Sequence, residues 1–184
     1  ILRAKLEDGR VIEGQSRIGE TRRIRKIGFK GKAPEASREA LQALRTADAI
    51  ILGPGSLFTS VIPNLIVRGV AEEIRKSPAP KIYVCNVMTQ PGETEDFTAS
   101  AHIEAIREHA GPGLVDTIVA HRGVIPPALL RRYAREGAVP VRVDHEALRA
   151  LGVRVLEADV ASTQDFVRHD PRKLGRVLMK LILV

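Results

Sequence analysis

Three short, largely apolar segments alternate with segments of helical periodicity, and this alternation constrains the fold more than any other feature of the chain. The apolar segments are AIIL, KIYVCNV and VDTIVA, at residues 49–52, 81–87 and 115–120. Strands of this kind are buried on both faces, and helices placed between them make neighbouring strands parallel. We therefore predict an α/β fold with a Rossmann-like, mostly parallel sheet and helices on both faces.

The segments between the apolar runs carry the spacing of amphipathic helices. Residues 34–48, PEASREALQALRTAD, predict a helix with Pro34 in its first turn. A second helix is predicted over residues 65–74, and VPVRVD at 139–144 is predicted as a further short strand. Asp170 is predicted to cap the last helix. The apolar stripe of that helix, which would be core or a dimer face if uncovered, consists of Leu174, Val177, Leu178 and Leu181.

The first 33 residues have a different pattern. LEDGRVIEG predicts a hairpin with a two-residue Asp-Gly turn that places Leu6 opposite Val11, and RIRKIGF alternates basic and apolar residues. We therefore predict an antiparallel hairpin adjunct at residues 1–33 and a Rossmann-like α/β domain at residues 34–184.

Composition restricts the classes of partner. The net charge of +7 would attract polyanions, but the arginines are dispersed. Two tyrosines and four phenylalanines are too few for an obvious base-stacking surface, which argues against nucleic-acid binding. No apolar run approaches the roughly 20 residues of a membrane span. The single cysteine, Cys85, excludes an internal disulfide and suits a reducing, cytoplasmic location.

The first of two polar loops, GPGSLFTS at residues 53–60, follows the first apolar strand. Its glycines let the backbone approach a ligand closely, and the start of the next helix offers N–H groups and a dipole that suit phosphate. The alternative is a strand-to-helix turn whose hydroxyls cap the helix. The candidate phosphate-binding residues are Gly53, Pro54, Gly55, Ser56, Thr59 and Ser60.

The second polar loop, NVMTQPGETEDFT at residues 86–98, follows the second apolar strand. Its amides and hydroxyls could contact a base or a sugar, and Glu93 and Asp96 could bind a magnesium ion that accompanies phosphates. The alternative is a solvated loop in which Thr98 or Ser100 caps the next helix. The candidate base- or sugar-binding residues are Asn86, Thr89, Gln90, Gly92 and Thr94, with Arg122 at the end of the third strand as a phosphate contact.

The carboxyl ends of parallel strands lie at one edge of a sheet, where open α/β folds bind ligands. Both loops leave the predicted sheet at that edge. We therefore expect residues 53–60 and 86–94 to share one pocket.

The blocks GPGSLFTS and NVMTQPGET, within residues 47–103, closely resemble the bacterial gluconeogenesis-factor family, a branch of the 2-phospho-L-lactate transferase superfamily. The segments AKLEDGRVIEG, GVRVLEADV and VRHDPRKLGRVL are similar to the same family. The resemblance implies a Rossmann-like domain that binds a nucleotide or nucleotide-sugar. It also implies a role in growth on gluconeogenic carbon sources and in cell-shape control through cell-wall synthesis. The other branch transfers phospholactate from a guanosine-linked donor to a deazaflavin, with magnesium, and NVMTQPGET resembles the first branch.

One feature of the resemblance is missing. Members of the family begin with a strand and a Gly-Gly-Gly-Thr-Gly type turn, followed by a segment rich in aspartate and glycine, and this sequence contains neither. Residues 34–184 are therefore predicted to be the C-terminal part of a larger family domain, and the sequence identifies no catalytic residue.

These observations support one leading hypothesis and two alternatives. The leading hypothesis is a cytoplasmic, nucleotide-sugar-binding regulator without turnover, which forms homo-oligomers and contacts protein partners in cell-wall or carbon metabolism. The first alternative is a magnesium-dependent transferase of a phosphorylated group from a nucleotide-linked donor. The second alternative, suggested by the charge alone, is a nucleic-acid binder.

Overall fold

The chain begins with a three-stranded antiparallel sheet in the computed structural model, which describes residues 1–21 and 23–183. Strands β1 (Leu2–Leu6), β2 (Val11–Glu13) and β3 (Ile24–Phe29) lie in the order β2–β1–β3. The short helix α1 (Gln15–Gly19) connects β2 to β3. The antiparallel hairpin element predicted from the sequence is confirmed.

The turn of this hairpin is one residue longer than predicted. Lys5 rather than Leu6 is the partner of Val11, and the Leu6 N–H donates to the carbonyl of Arg10. The loop therefore has three residues, of which Gly9 has a φ of 87°. Three-residue hairpin loops need a left-handed residue at their last position, and glycine adopts that conformation without steric cost.

A four-stranded parallel sheet follows, as the apolar segments predicted. Its strands are β4 (Ile50–Leu52), β5 (Lys81–Val84), β6 (Thr117–His121) and β7 (Arg154–Ala158), in the order β4–β5–β6–β7. Each neighbouring pair is parallel. Two short strands, β8 (Ala161–Ser162) and β9 (Arg168–His169), form a separate antiparallel pair.

Helices connect and cover these strands. A single π-helical turn, Leu57–Val61, runs directly into the short helix that begins at Ile62. The helices after α1 are α2 (Arg38–Thr46), α3 (Ile62–Leu65), α4 (Val70–Lys76), α5 (Ala99–Ala110), α6 (Pro127–Arg135), α7 (His145–Ala150) and α8 (Pro171–Ile182).

The two faces of the parallel sheet pack against different helices. Tyr83 and Cys85 belong to a large core with residues of α3, α4, α5 and α7 and of the N-terminal sheet. Ile82 and Val84, on the opposite face, pack against α8. The apolar stripe of α8 therefore covers the second face of the sheet. Helices on both faces are confirmed.

Two helices differ from the sequence-based bounds. Helix α2 begins after Ser37, whose Oγ accepts a hydrogen bond from the Ala40 N–H at 3.2 Å. Pro34 precedes the helix, because its carbonyl accepts from the Arg68 N–H in an extended pairing. The helix predicted over residues 65–74 is divided between α3 and α4 at Gly69, which has a φ of 92°.

The segment predicted as a strand at residues 139–144 is irregular. Pro140 forms an isolated bridge with Met88, and the Val141 N–H donates to the carbonyl of Val87. Proline lacks the N–H that a longer ladder would need, so the pairing stays local. This segment lies along the second polar loop and helps to position it.

In the part of the chain that the structure describes, no helix combines the length and apolar character needed to cross a membrane.

Candidate ligand-binding cleft

The two polar loops meet at the carboxyl ends of β4 and β5, as expected from a parallel sheet. They line a cleft of about 600 Å³. One part of the lining comes from residues 54–56 and 86–91, and the other from the C-terminal half of α6, the turn after it and residues 167–169. The structure therefore brings part of both predicted residue sets into one cavity.

Three polar side chains form a continuous row in this cleft. The Gln90 Nε2 donates to Ser56 Oγ at 2.8 Å, and the Asn86 Nδ2 donates to Gln90 Oε1 at 2.9 Å. Each group keeps hydrogen-bonding capacity beyond these contacts: the serine hydroxyl proton, the asparagine carbonyl oxygen and one N–H on each amide. The row can therefore bind hydroxyl, carbonyl or amine groups of a ligand.

The two glycines of the first loop lie where the chain is closely packed. Gly53 has a φ of 88°, and a Cβ there would lie 3.2 Å from the carbonyl oxygen of Val84. A Cβ on Gly55 would lie 3.1 Å from the Cβ of Ser60. Ser60 approaches so closely because its N–H, with that of Val61, donates to the carbonyl of Ser56 in the π-helical turn. The same close packing leaves the backbone of residues 54–56 facing the cleft.

Glu93 joins the two loops beneath the cleft. One carboxylate oxygen accepts from the Thr59 hydroxyl at 2.8 Å and the other from the Phe58 N–H at 3.2 Å. The residue is only 6% exposed. Burial raises the pKa of this carboxyl, and the hydrogen bonds from Thr59 and Phe58 partly oppose that rise. The sequence analysis assigned Glu93 to magnesium and Thr59 to phosphate. In the structure these two side chains hydrogen-bond to each other.

Two threonines of the second loop also form hydrogen bonds with other residues of the chain. Thr89 Oγ1 accepts from the Val139 N–H at 3.0 Å, and the Thr89 N–H donates to the Val139 carbonyl at 2.7 Å. Thr94 Oγ1 accepts from the Gln90 N–H at 2.9 Å. Gly92 has a φ of 92° in the turn between them. These three residues shape the loop that presents Gln90.

Other predicted residues lie outside the cleft lining. Arg122 follows β6 at the predicted edge, where its N–H donates to the carbonyl of Ala158 and its side chain is exposed. Ser60 lines a second depression, of about 420 Å³, together with Gly53 and Asn64. Asp96 is exposed, with a φ of 62°.

Sequence reasoning missed the side of the cleft that comes from α6 and the C-terminal strands. Tyr133, Glu136, Arg168 and His169 line it. The His169 Nε2 lies 3.2 Å from the Cys85 carbonyl, and burial lowers the pKa of this histidine. No local pattern marks these residues, because they are about 40 to 115 positions from the loops they face.

Neither of the residues that the sequence proposed for magnesium lines the cleft. Both oxygens of Glu93 already accept hydrogen bonds, and Asp96 is exposed away from the cleft lining. Across residues 1–21 and 23–183, no group of three or more His, Cys, Asp or Glu residues could hold a metal ion.

Known proteins resemble this chain over nearly its whole length. The family model described as 2-phospho-L-lactate transferase CofD matches residues 1–161. A protein named gluconeogenesis factor from Bacillus subtilis (strain 168) is 42% identical over 184 residues, which are 99% of this chain and 58% of that protein. A gluconeogenesis factor from Halalkalibacterium halodurans is 43% identical over 98% of this chain and 56% of its own length.

A solved structure has a similar fold. The crystal structure of a member of the upf0052 family from Bacillus halodurans has a TM-score of 0.92 and 43% sequence identity. The match covers 97% of this chain and 58% of that chain. The chain thus spans little more than half the length of these relatives.

Proposed function

The chain belongs to the 2-phospho-L-lactate transferase CofD family, and from its similarity to the gluconeogenesis factors we propose that it is a regulatory protein that binds a nucleotide or nucleotide-sugar in the cleft. The observation that carries the proposal is the row of Ser56, Gln90 and Asn86, which joins both loops in one cavity. As part of the same proposal, ligand binding changes contacts with protein partners and links carbon supply to growth on gluconeogenic substrates and to cell shape.

The chemistry of the row suits the sugar or base of such a ligand. Side-chain amides offer donors and acceptors at fixed positions, which is what discrimination among hydroxyl and carbonyl patterns requires. The three side chains hydrogen-bond to one another, so these polar groups have partners. A ligand can extend this row through the donors and acceptors that remain unused.

The first loop suits the phosphate of such a ligand. Residues 54–56 place backbone and the Ser56 hydroxyl at the cleft, directly before the π-helical turn and α3. Among the residues that the structure describes, no acceptor receives a hydrogen bond from the amides of Gly55 or Ser56. Two such amides beside a serine hydroxyl form an arrangement that favours an anion.

The proposal is tested by calorimetric titration of the full-length protein with UDP- and GDP-linked sugars. Gln90→Ala removes the central amide of the row, and we expect its affinity to fall about tenfold, since two hydrogen-bonding positions are lost. Gln42→Ala, in an exposed position of α2, is the matched control and should bind like the unmodified protein. If Gln90→Ala and Gln42→Ala bind with equal affinity, the row of Ser56, Gln90 and Asn86 does not contribute to ligand binding.

A second substitution tests the phosphate assignment. Gly55→Asp places a carboxylate at the loop and should abolish binding by charge repulsion. Because its Cβ would approach Ser60 at 3.1 Å, circular dichroism and thermal unfolding must show that the fold persists. Retained binding in a folded Gly55→Asp protein would contradict the assignment.

Transfer of a phosphorylated group is the second candidate function, because the matching family model is described as a transferase. Incubating the full-length protein with nucleotide-linked donors, with and without magnesium, distinguishes the two. A regulator releases no free nucleotide, whereas a transferase releases it in proportion to the product formed.

A further inference from the structure

The N-terminal sheet carries almost all of the net positive charge of the chain. Residues 1–33 contain ten lysines and arginines but only four aspartates and glutamates, which places +6 of the net charge of +7 in this segment. Basic residues also occur along the rest of the chain, but carboxylates nearly balance them there. The positive potential of the molecule is therefore concentrated on one small element.

A β-bulge gathers this charge on the exposed face of the sheet. The register between β1 and β3 shifts after the pair of Lys5 and Lys26, and Arg25 is the extra residue. Ile24 and Ile27 are both buried although they are three positions apart, which a regular strand does not allow. The bulge thus keeps both isoleucines in the core and exposes the two cations between them.

Four cations lie together on this face. Arg3 and Lys5 alternate with buried residues of β1, and Lys26 lies directly opposite Lys5, beside the bulged Arg25. We call these four exposed residues the basic patch. Like charges that face each other on neighbouring strands are destabilising, so the pair of Lys5 and Lys26 does not serve the stability of the sheet.

Three carboxylates of the sheet are paired with basic residues outside the patch. These ion pairs are Arg10–Asp8 at 2.7 Å, Arg23–Glu7 at 3.7 Å and Lys30–Glu13 at 2.8 Å. Within residues 1–21 and 23–183, none of the ion pairs includes a member of the basic patch. Four neighbouring cations without matched carboxylates favour an acidic partner.

The surroundings of the patch restrict the kind of acidic partner. Glu13 lies opposite Arg3 on β2, and Glu7 follows Lys5 by two positions. A nucleic-acid duplex or a layer of lipid headgroups presents anions over a wide area, so it would also meet these carboxylates. The one aromatic residue of this segment, Phe29, is half-buried and offers no exposed ring for stacking bases. A short run of carboxylates fits the patch better.

We propose that the basic patch is the docking site for an acidic segment of a partner protein. This inference rests on the proposed function, which gives the chain protein partners, and it names the surface and the chemistry that one of them uses. The four members of the patch lie in the described ranges and outside the cleft lining. A partner at the patch therefore leaves the cleft open to its own ligand.

The test measures binding of fluorescein-labelled octaglutamate to the full-length protein by fluorescence anisotropy. Lys5→Glu combined with Lys26→Glu reverses half of the patch, and we expect the affinity for octaglutamate to fall about tenfold or more. Like charges still face each other in this variant, so circular dichroism and thermal unfolding should show an unchanged fold. Lys5→Gln with Lys26→Gln gives a smaller loss of affinity and removes the repulsion.

A matched control changes the net charge by the same amount elsewhere. Arg131→Glu combined with Lys180→Glu alters exposed positions of α6 and α8, and it should weaken octaglutamate by less than about twofold. Equal affinity of the two charge-reversed proteins would overturn the inference, because net charge alone would then account for binding. No binding of octaglutamate to the unmodified protein would also overturn it.

The same variants distinguish the other polyanions. A short DNA duplex and vesicles of equal parts phosphatidylserine and phosphatidylcholine should bind more weakly than octaglutamate. Tighter binding of either one, lost in the Lys5→Glu, Lys26→Glu protein, would overturn the assignment to a protein partner. These measurements contain no nucleotide. If octaglutamate binds at the patch but calorimetry detects no nucleotide or nucleotide-sugar in the cleft, the proposed ligand fails while the docking site stands.

Discussion

Two sets of polar side chains lie next to each other at the carboxyl edge of the parallel sheet, and they differ in what they contact. Glu93, Thr94 and Thr89 are nearly buried and form hydrogen bonds within their loop or with neighbouring segments, although Thr89 also borders the cleft. Asn86 and Gln90 face a cleft. Both sets come from one loop of similar residue types, so burial rather than polarity separates the groups that hold the loops from those that can reach a ligand.

The comparison predicts that the buried set controls stability and the cleft set controls affinity. Burying a polar group is unfavourable unless it is hydrogen-bonded, so removing one partner leaves the other unsatisfied. A polar group that already faces water loses little when its partner is removed. Substitutions in the buried set should therefore lower the free energy of unfolding, and substitutions in the cleft set should lower the affinity for the ligand.

The largest expected effect comes from breaking the contact between the two loops. Glu93→Ala leaves the buried Phe58 N–H and the Thr59 hydroxyl without their acceptor, and we expect the free energy of unfolding to fall by about 2–4 kcal/mol. Urea denaturation measures this change. Glu95→Ala, two positions away and less buried, is the control, with an expected change below about 0.5 kcal/mol. If the Glu93→Ala protein is as stable as this control, the hydrogen bonds of Glu93 do not stabilise the fold.

A smaller effect is expected where the second loop meets the irregular segment after α6. Thr89→Val keeps the shape of the side chain but removes the acceptor of the Val139 N–H, and it should cost about 1–2 kcal/mol of unfolding free energy. Thr89→Ser keeps the hydroxyl and should lose less. If Gln90→Ala destabilises the protein as much as Thr89→Val, the distinction between the two sets fails.

The smallest effect is a pH dependence of the same contact. Burial raises the pKa of Glu93 in the folded protein, so its contribution to stability is full at low pH and is lost as the pH rises through the folded-state value. Glu93→Gln cannot ionise. The stability of Glu93→Gln relative to the unmodified protein should therefore increase as the pH is raised from about 4 to about 7. Denaturation series at several pH values measure it, and a constant difference would contradict the raised pKa.

Much of the fold follows from local patterns. The apolar runs predicted the strands β4, β5 and β6, although the edge strand β4 leaves Ile51 40% exposed. The Asp-Pro pair at the start of α8 forms the predicted cap: Asp170 Oδ1 accepts from the Arg172 and Lys173 N–H groups. The errors lie where non-local contacts act on the backbone. Pro34 was predicted to be helical but pairs with Arg68, and the second helix is interrupted at Gly69.

The sequence predicted where the candidate site lies but not which side chains face it. Two polar loops after successive parallel strands must lie at one edge of the sheet, because the strands run in the same direction. The sequence by itself therefore determined the fold class, the family and the shared position of residues 53–60 and 86–94. Only the tertiary structure decided that Glu93 faces inward to Thr59, that Gln90 faces the cleft, and that Arg168 completes the opposite side. Side-chain burial and contacts between distant segments depend on packing, which local spacing does not encode.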